Sequence, residues 1–288
     1  MMKRLPSLIA GLALCCLTAA ASADGRLLGT GGATQLEGAA GGGLVPWAVL
    51  GGYATEDDYS VTVATTGVRS DDYDLNAFGA SFSVKNKIEF SFMRQELDIG
   101  ALSAPLGIDP NTQLKQDIAA VKLRLYGDLI YGRWPQFAVG VQHKKNTTFG
   151  IPSVAGARFD SGTDVYISAT RLFIAGPFGR SLLVNGTLRS TSANQLGLLG
   201  FGGDKGERSL NAEFSTAVLL NHKAAIGFEY RQKPDNLSFA KEDDWFDLFG
   251  AYFFNKNVSA VLAWSHLGDI ATLKDQRGMY LSIQGSYW

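Results

Sequence analysis

The strongest constraint in this sequence is a repeated alternation. Segments of about ten residues place apolar side chains at every second position, and the connections between them are by turns short and long. In 119–126, Ala119, Val121, Leu123 and Leu125 share one parity, while Lys122, Arg124 and Tyr126 share the other. Successive side chains of a strand point to opposite faces, so this segment has one apolar and one charged face. The division recurs. Leu182, Val184 and Leu188 oppose Asn185, Thr187 and Arg189; Leu210, Ala212 and Phe214 oppose Asn211, Glu213 and Ser215; Ile226, Phe228 and Tyr230 oppose Glu229 and Arg231; Met279, Leu281 and Ile283 oppose Ser282 and Gln284.

Connection lengths give an independent test. Tight turns are expected at 85–87, 176–179, 221–223 and 255–257, all rich in turn-forming residues, and long polar or glycine-rich loops near 99–116, 145–162, 191–207, 233–244 and 267–277. Short connections on one side and long ones on the other are what a barrel spanning an outer membrane presents to the periplasm and the exterior. A basic residue facing the bilayer midplane costs roughly 2–4 kcal/mol, so the charged face of each strand turns to the lumen.

Counting back from Trp288 as a periplasmic end gives twelve strands, the first near 59–68. Two glycine-laden segments, 32–40 and 44–54, add two more. The expected fold is therefore all-β, a closed antiparallel transmembrane β-barrel of 14 strands, with 12 as the alternative; an even count returns both ends to the periplasm.

The N-terminus carries the pattern of a secretory signal. Lys3 and Arg4 precede an apolar run that ends at Ala21, Ser22 and Ala23, so residues 1–23 are expected to be removed and 24–288 to form an outer-membrane barrel with a glycine-rich N-terminal segment. Both cysteines, Cys15 and Cys16, fall in the signal, leaving the mature chain without a thiol. Losing Lys3 and Arg4 takes 26 basic residues to 24 against 27 acidic ones, a formal charge of −3, and no basic stripe calls for nucleic acid. The 34 glycines oppose long helices, and the weakly polar stretch 41–54 is interrupted by Pro46 and is too short to span as one. The expected location is the bacterial outer membrane, with its lipid as surroundings.

Several finer expectations follow. Trp134, Trp245, Trp264 and Trp288 sit near expected strand ends, where amphipathic rings suit the membrane interface. A change of parity around Ala77 and Phe78 predicts a bulge. Asp247 facing inward would carry Phe249 and Phe253 inward with it, which reads either as a bulge or as an apolar path through the lumen. Arg94 and Arg171 share parity with apolar neighbours, which places them near the membrane boundary, where the charge penalty falls to roughly 0–1 kcal/mol.

The closing segment 278–288, ending in Tyr287 and Trp288, resembles the C-terminal signal of bacterial outer-membrane proteins, which implies recognition by the barrel-assembly machinery. Its apolar row ends at Tyr287, whereas Trp288 shares parity with Ser282 and Gln284. The opening at 25–48, Gly-Arg-Leu-Leu-Gly-Thr-Gly-Gly-Ala-Thr-Gln-Leu-Glu-Gly-Ala-Ala-Gly-Gly-Gly-Leu-Val-Pro-Trp-Ala, resembles a proteobacterial family catalogued as domain of unknown function 3034, a family of outer-membrane barrels; the resemblance extends over most of the mature chain and brings no activity or assigned residues.

Neither this opening nor 200–206 has the spacing of a phosphate-binding loop, and His143, His222 and His266 lack that of a metal pair, so no cofactor and no metal are expected. Ser265 beside His266 is the one local hint of a hydrolase, and strand neighbours point to opposite faces, so the chain is read as not an enzyme. The function-bearing candidates are the inward charges Glu89, Lys122, Arg124, Arg189, Glu213, Glu229, Arg231 and Asp247, four acidic and four basic. They form either a salt-bridge filling or a charge filter. Twelve to fourteen strands leave lumen space unless something plugs it, and the loop near 99–116 and the glycine-rich N-terminus are the candidate plugs. The expected function is passive passage of an unidentified small-molecule solute through a restricted mixed-charge channel. The alternative is a non-conducting structural barrel binding through external loops, with Asn146, Thr147, Asp204 and Lys205 exposed, and a lipid hydrolase is a third reading.

Overall fold

The computed structural model describes residues 28–288 apart from 175, 177, 178 and 240, and for Pro105 the backbone alone. The expected signal 1–23, its two cysteines and part of the expected turn at 176–179 lie outside the described residues.

Two short strands, β1 (Ala33–Thr34) and β2 (Ala40–Gly41), precede the long ones. These are β3 (Tyr59–Ser70), β4 (Asp74–Val84), β5 (Ile88–Asp98), β6 (Gln113–Tyr126), β7 (Gln136–Asn146), β8 (Ser161–Phe173), β9 (Ser181–Thr191), β10 (Ser209–Leu219), β11 (Ala224–Arg231), β12 (Trp245–Phe253), β13 (Val258–Ile270) and β14 (Leu273–Tyr287). Each of β3 to β14 pairs antiparallel with its sequence neighbours, and β14 returns to β3 from Gly278 opposite Ser70 to Tyr287 opposite Val61. Closure leaves no sheet edge, so every strand's backbone groups find partners inside the wall.

The wall thus has 12 strands, and the expectation of 14 is corrected. Segments 32–40 and 44–54 lack the alternation that gives a strand one lipid face and one lumen face. They are buried on all sides inside the barrel and contribute only the two-residue pair of β1 and β2.

Strand alternation sorts the side chains. Val61, Phe90, Val121, Ile167, Leu188 and Leu262 are exposed on the outside, an apolar surface suited to lipid. Aromatic side chains gather at both ends of this belt, with Tyr59 stacked on Phe82 (5.9 Å) and Tyr252 edge-on to Phe254 (5.0 Å) at one end, and Phe246 beside Trp264 (6.1 Å) at the other. Trp134 lies exposed at the first end, whereas Trp245 departs from the girdle expectation and turns into the lumen, 4% exposed. Arg94 is outward and bidentate to Asp117 of the neighbouring strand (2.7 and 2.8 Å). Arg171 donates to the carbonyls of Gly132 (2.6 Å) and Trp134 (3.0 Å).

One rim, the short-turn rim, carries connections such as 85–87, 127–135, 220–223 and 254–257, and the other carries the long loops 99–112, 147–160, 192–208 and 232–244 together with two tight turns, β3–β4 and β13–β14. The three-residue turn between β4 and β5 holds Lys85 (φ 51°) and Asn86 (φ 49°) in the left-handed region, closed by the Lys87 amide on the Val84 carbonyl (2.9 Å), the positive φ pair whose twist matches that of the flanking strands. On the long-loop rim, the expected loop 267–277 is replaced by continued pairing of β13 and β14, with register shifts between His266 and Ile270 that absorb Gly268. The bulge expected at Ala77 and Phe78 is absent. β4 pairs without a break, Phe78 faces out, and Leu75 and Ala77 face in because apolar partners await them inside. β12 is likewise continuous, so Phe249 does turn inward with Asp247.

Candidate functional site

The lumen holds the chain's own N-terminal segment. Residues 28–54 leave the short-turn rim, reverse at 35–38 and return to it, the returning limb making a further tight turn at 42–45 where the Gly42 amide donates to the Val45 carbonyl (3.0 Å). The Gly38 amide donates to the Gln35 carbonyl (2.9 Å) at the reversal, and Gly38 takes a φ of +95° that favours glycine. Wall side chains hold both limbs. Gln95 donates to the Leu36 carbonyl (2.6 Å), Gln136 to the Ala48 carbonyl (2.5 Å) and Thr187 to the Pro46 carbonyl (2.8 Å), while Gln284 accepts from the Thr34 amide (2.6 Å). A segment without regular structure carries many unpaired peptide groups, so a polar wall is what allows it to be buried.

Three charged sockets organise the contact. Lys122 and Glu89, on adjacent strands and 3.3 Å apart, divide the work. The ammonium donates to the Ala40 and Val49 carbonyls (both 2.7 Å), and the carboxylate accepts from the Ala40 (3.1 Å) and Gly51 (2.6 Å) amides. Glu229 accepts from the Gly43 (2.5 Å) and Leu44 (2.7 Å) amides and from the Ser215 hydroxyl, with Asp247 opposite it on β12. A side chain at Gly42 would run into the Glu229 carboxylate, so the backbone can approach only as glycine.

The third socket receives Glu37. Arg231 reaches both its oxygens (2.8 and 3.1 Å), Arg189 lies 3.3 Å away, and Lys144 pairs with it as well. The wall adds Asp164, 2.6 Å from Lys144, and Glu213, 2.5 Å from Arg189. All six side chains are almost wholly buried. Charge balance in this socket depends on the plug, because the wall alone supplies three cations and two carboxylates, and Glu37 supplies the third.

Of the eight sequence candidates, Glu89, Lys122, Arg189, Glu213, Glu229, Arg231 and Asp247 project into the lumen and meet the plug or its sockets. Arg124 does not; it stays at the short-turn rim, 3.7 Å from Asp128. Glu37, Lys144 and Asp164 were missed. Glu37 had a signal, being the only charged residue between Arg26 and Glu56. Ser265 and His266 are not brought together. Ser265 is buried on the lumen face, while His266 stacks outside on Phe246 (4.8 Å) and meets Asp275 (3.0 Å).

The long loops fold over the other end of the plug. Residues 194–202 dip inward, where Asn146 donates to the Leu198 carbonyl (2.7 Å) and Gln116 to the Leu196 carbonyl (3.3 Å). Asn146 is therefore buried, not an exposed loop contact; Thr147, Asp204 and Lys205 are exposed. Lys233 and Glu242, 3.4 Å apart in the loop between β11 and β12, clamp Gln195 from both sides, with Lys233 4.6 Å over the Trp245 ring. Burial pushes the Glu242 carboxyl up and the Lys233 ammonium down, against their mutual attraction.

A closed twelve-stranded wall with an apolar belt and a polar, self-filled lumen defines an outer-membrane β-barrel. Residues 30–284 match the family described as "Protein of unknown function (DUF3034)", and the chain belongs to that family. No curated protein matches it. Among solved structures, the KdgM porin is similar at 9% identity and TM-score 0.50, over 79% of this chain and 99% of that one. Omp33 of Acinetobacter baumannii gives 9% identity and TM-score 0.47, over 81% and 100%. The translocator domain of autotransporter NalP from Neisseria meningitidis gives 14% and 0.40, over 80% and 88%. The first of these likenesses supports the barrel fold alone.

Proposed function

We propose that the protein is an outer-membrane channel for small solutes, shut in this conformation by residues 28–54, and that passage follows displacement of that segment. The short-turn rim then faces the periplasm and the long loops the exterior. Outer-membrane lipid surrounds the belt, and β14 is the segment offered to the barrel-assembly machinery. The observation that carries the reading is the Glu37 socket. A permanent filling has no need of it, because replacing a buried ion cluster with apolar side chains is often neutral or stabilising. A plug held by polar contacts exchanges them for water when it leaves, and the vacated wall is already polar.

Planar-bilayer recordings test this with the full chain, Glu37→Gln and a deletion of 28–54. The full chain should show rare, brief openings, Glu37→Gln at least a ten-fold higher open fraction, and the deletion sustained conductance. Silence from all three, each folded by circular dichroism, would overturn the channel and leave a structural barrel.

A further inference from the structure

Beneath the long loops lies a cavity of about 290 Å³. Its walls include Leu97, Ile99, Leu114, Ile151, Val154 and Ile270. They come from β5, β6 and β13 and from two short helices set in the loops, α1 (Ser103–Leu106) and α2 (Gly150–Val154). Among the described residues, none that lines it is charged. Its polar groups are Tyr73 and Gln195, and both are engaged within the protein. The Tyr73 hydroxyl donates to the Ile270 carbonyl (3.1 Å), and the Gln195 amide oxygen accepts from Lys233 (3.0 Å) while its nitrogen donates to the Asp269 carbonyl (3.3 Å).

The cavity opens outward and continues inward. Val154 is 90% exposed at its rim. Tyr73, Leu97, Gln195 and Ile270 also line a smaller apolar cavity of about 40 Å³, which reaches Leu36 and Leu44 of the plug beside Trp245 and Tyr280. Leu36 immediately precedes Glu37. An apolar lining therefore runs from the outer mouth to the tip of the plug, although every other plug contact described above is polar.

We infer that this cavity binds a small uncharged hydrophobic molecule, such as an unsubstituted aromatic or a medium-length alkyl compound, at the outer mouth. The inference rests on the channel reading and names its class of solute. Water fills the space poorly, because both polar side chains of the lining are already engaged and a buried water needs two to four partners. An apolar cavity of about 150 Å³ is known to stay dry and accept benzene, so roughly twice that space suits a two-ring aromatic. A carboxylate there would lose its hydration and gain no donor, so charged analogues are excluded. Occupancy places the ligand against Tyr73, Leu97, Gln195 and Ile270, the side chains that also border the smaller cavity at Leu36, one residue from the charge that holds the plug.

Methyl-labelled protein in lipid nanodiscs, titrated with naphthalene and separately with 2-naphthoate, tests the site. Naphthalene should give saturable shifts at Ile99, Leu114, Ile151 and Val154, with no saturable change at the lipid-facing Val141, Ile167 and Leu188. Binding of 2-naphthoate should be at least ten-fold weaker. Gly150→Phe, where the added side chain enters open space, should weaken naphthalene binding at least ten-fold, and Ala155→Phe serves as a second filling variant. Equal, unsaturable shifts at cavity and lipid-facing methyls would overturn the site, as would unchanged binding in both filled variants. Because Glu37→Gln conductance is read separately, a conducting variant with an unoccupied cavity removes this inference and keeps the channel. Saturable binding with silent bilayers does the reverse.

Discussion

Replacing Glu37 by Gln leaves Lys144, Arg189 and Arg231 with Asp164 and Glu213 as their carboxylate partners in a buried pocket. Truncating one member of a buried ion set costs about 3–5 kcal/mol, chiefly because the remaining charge has no counterpart. Equilibrium unfolding in bilayer-mimicking micelles should show a loss of that size for Glu37→Gln and a smaller one for Glu37→Gln with Lys144→Met, which restores the balance. A larger loss in the double variant would sink the account. Gly42→Ala forces a methyl against a Glu229 carboxylate already held by two plug amides, and should cost about 1–3 kcal/mol in the same assay. Glu89, Lys122, Arg189 and Glu229 were legible as lumen residues because strand parity and the lipid penalty on charge leave one face open to them. Glu37, the partner of Arg189, was not, since parity says nothing about a segment that does not alternate. What marked it was the absence of any other charge from Arg26 to Glu56.

Among the elements, the outer loops between β9 and β10 and between β11 and β12 are clasped where Asp204 accepts from the Ser238 amide (2.8 Å) and hydroxyl, with Lys205 beside Asp235 (3.1 Å). The Ser238 hydrogen bonds hold the Asp204 carboxyl below its ordinary 3.8. A depressed acid favours the clasped form while it is ionised, so the contribution is complete above about pH 3.8 and vanishes as pH falls through the lower clasped value. Hydrogen exchange at residues 203–206 and 236–238 should therefore be slower in the natural chain than in Asp204→Asn at pH 5, with the difference closing toward pH 2. A difference that persists there would rule the clasp out. Strand positions were readable because each needed only its own alternation. Misreadings fell where the lumen face is itself apolar. Leu75 and Ala77 imitated a slip in register, Phe249 raised the question of one, and Trp245 imitated a membrane anchor. Leu75, Phe249 and Trp245 border plug residues, and Ala77 packs on Met93 and Ile118 of the neighbouring wall strands, contacts that strand alternation alone does not report.

For the molecule as a whole, wall and plug separate cleanly in their hydrogen bonding. Strands β3 to β14 complete their backbone ladders with one another, whereas the plug attaches through wall side chains. Deleting 28–54 should leave β circular dichroism and heat-sensitive electrophoretic mobility intact while lowering the thermal midpoint. Loss of the β signal would show instead that the wall needs its filling. The two limbs have a further consequence. The Gly29 amide meets the Tyr53 hydroxyl (3.0 Å), so the segment enters and leaves by the same rim, a few residues before β3 begins at Tyr59. It sits in the barrel as a bent finger and not as a thread passed through a ring. Among the described residues the way in and the way out share one rim and no pair of wall strands has to part, so the finger can enter after the ring has closed and withdraw without opening it.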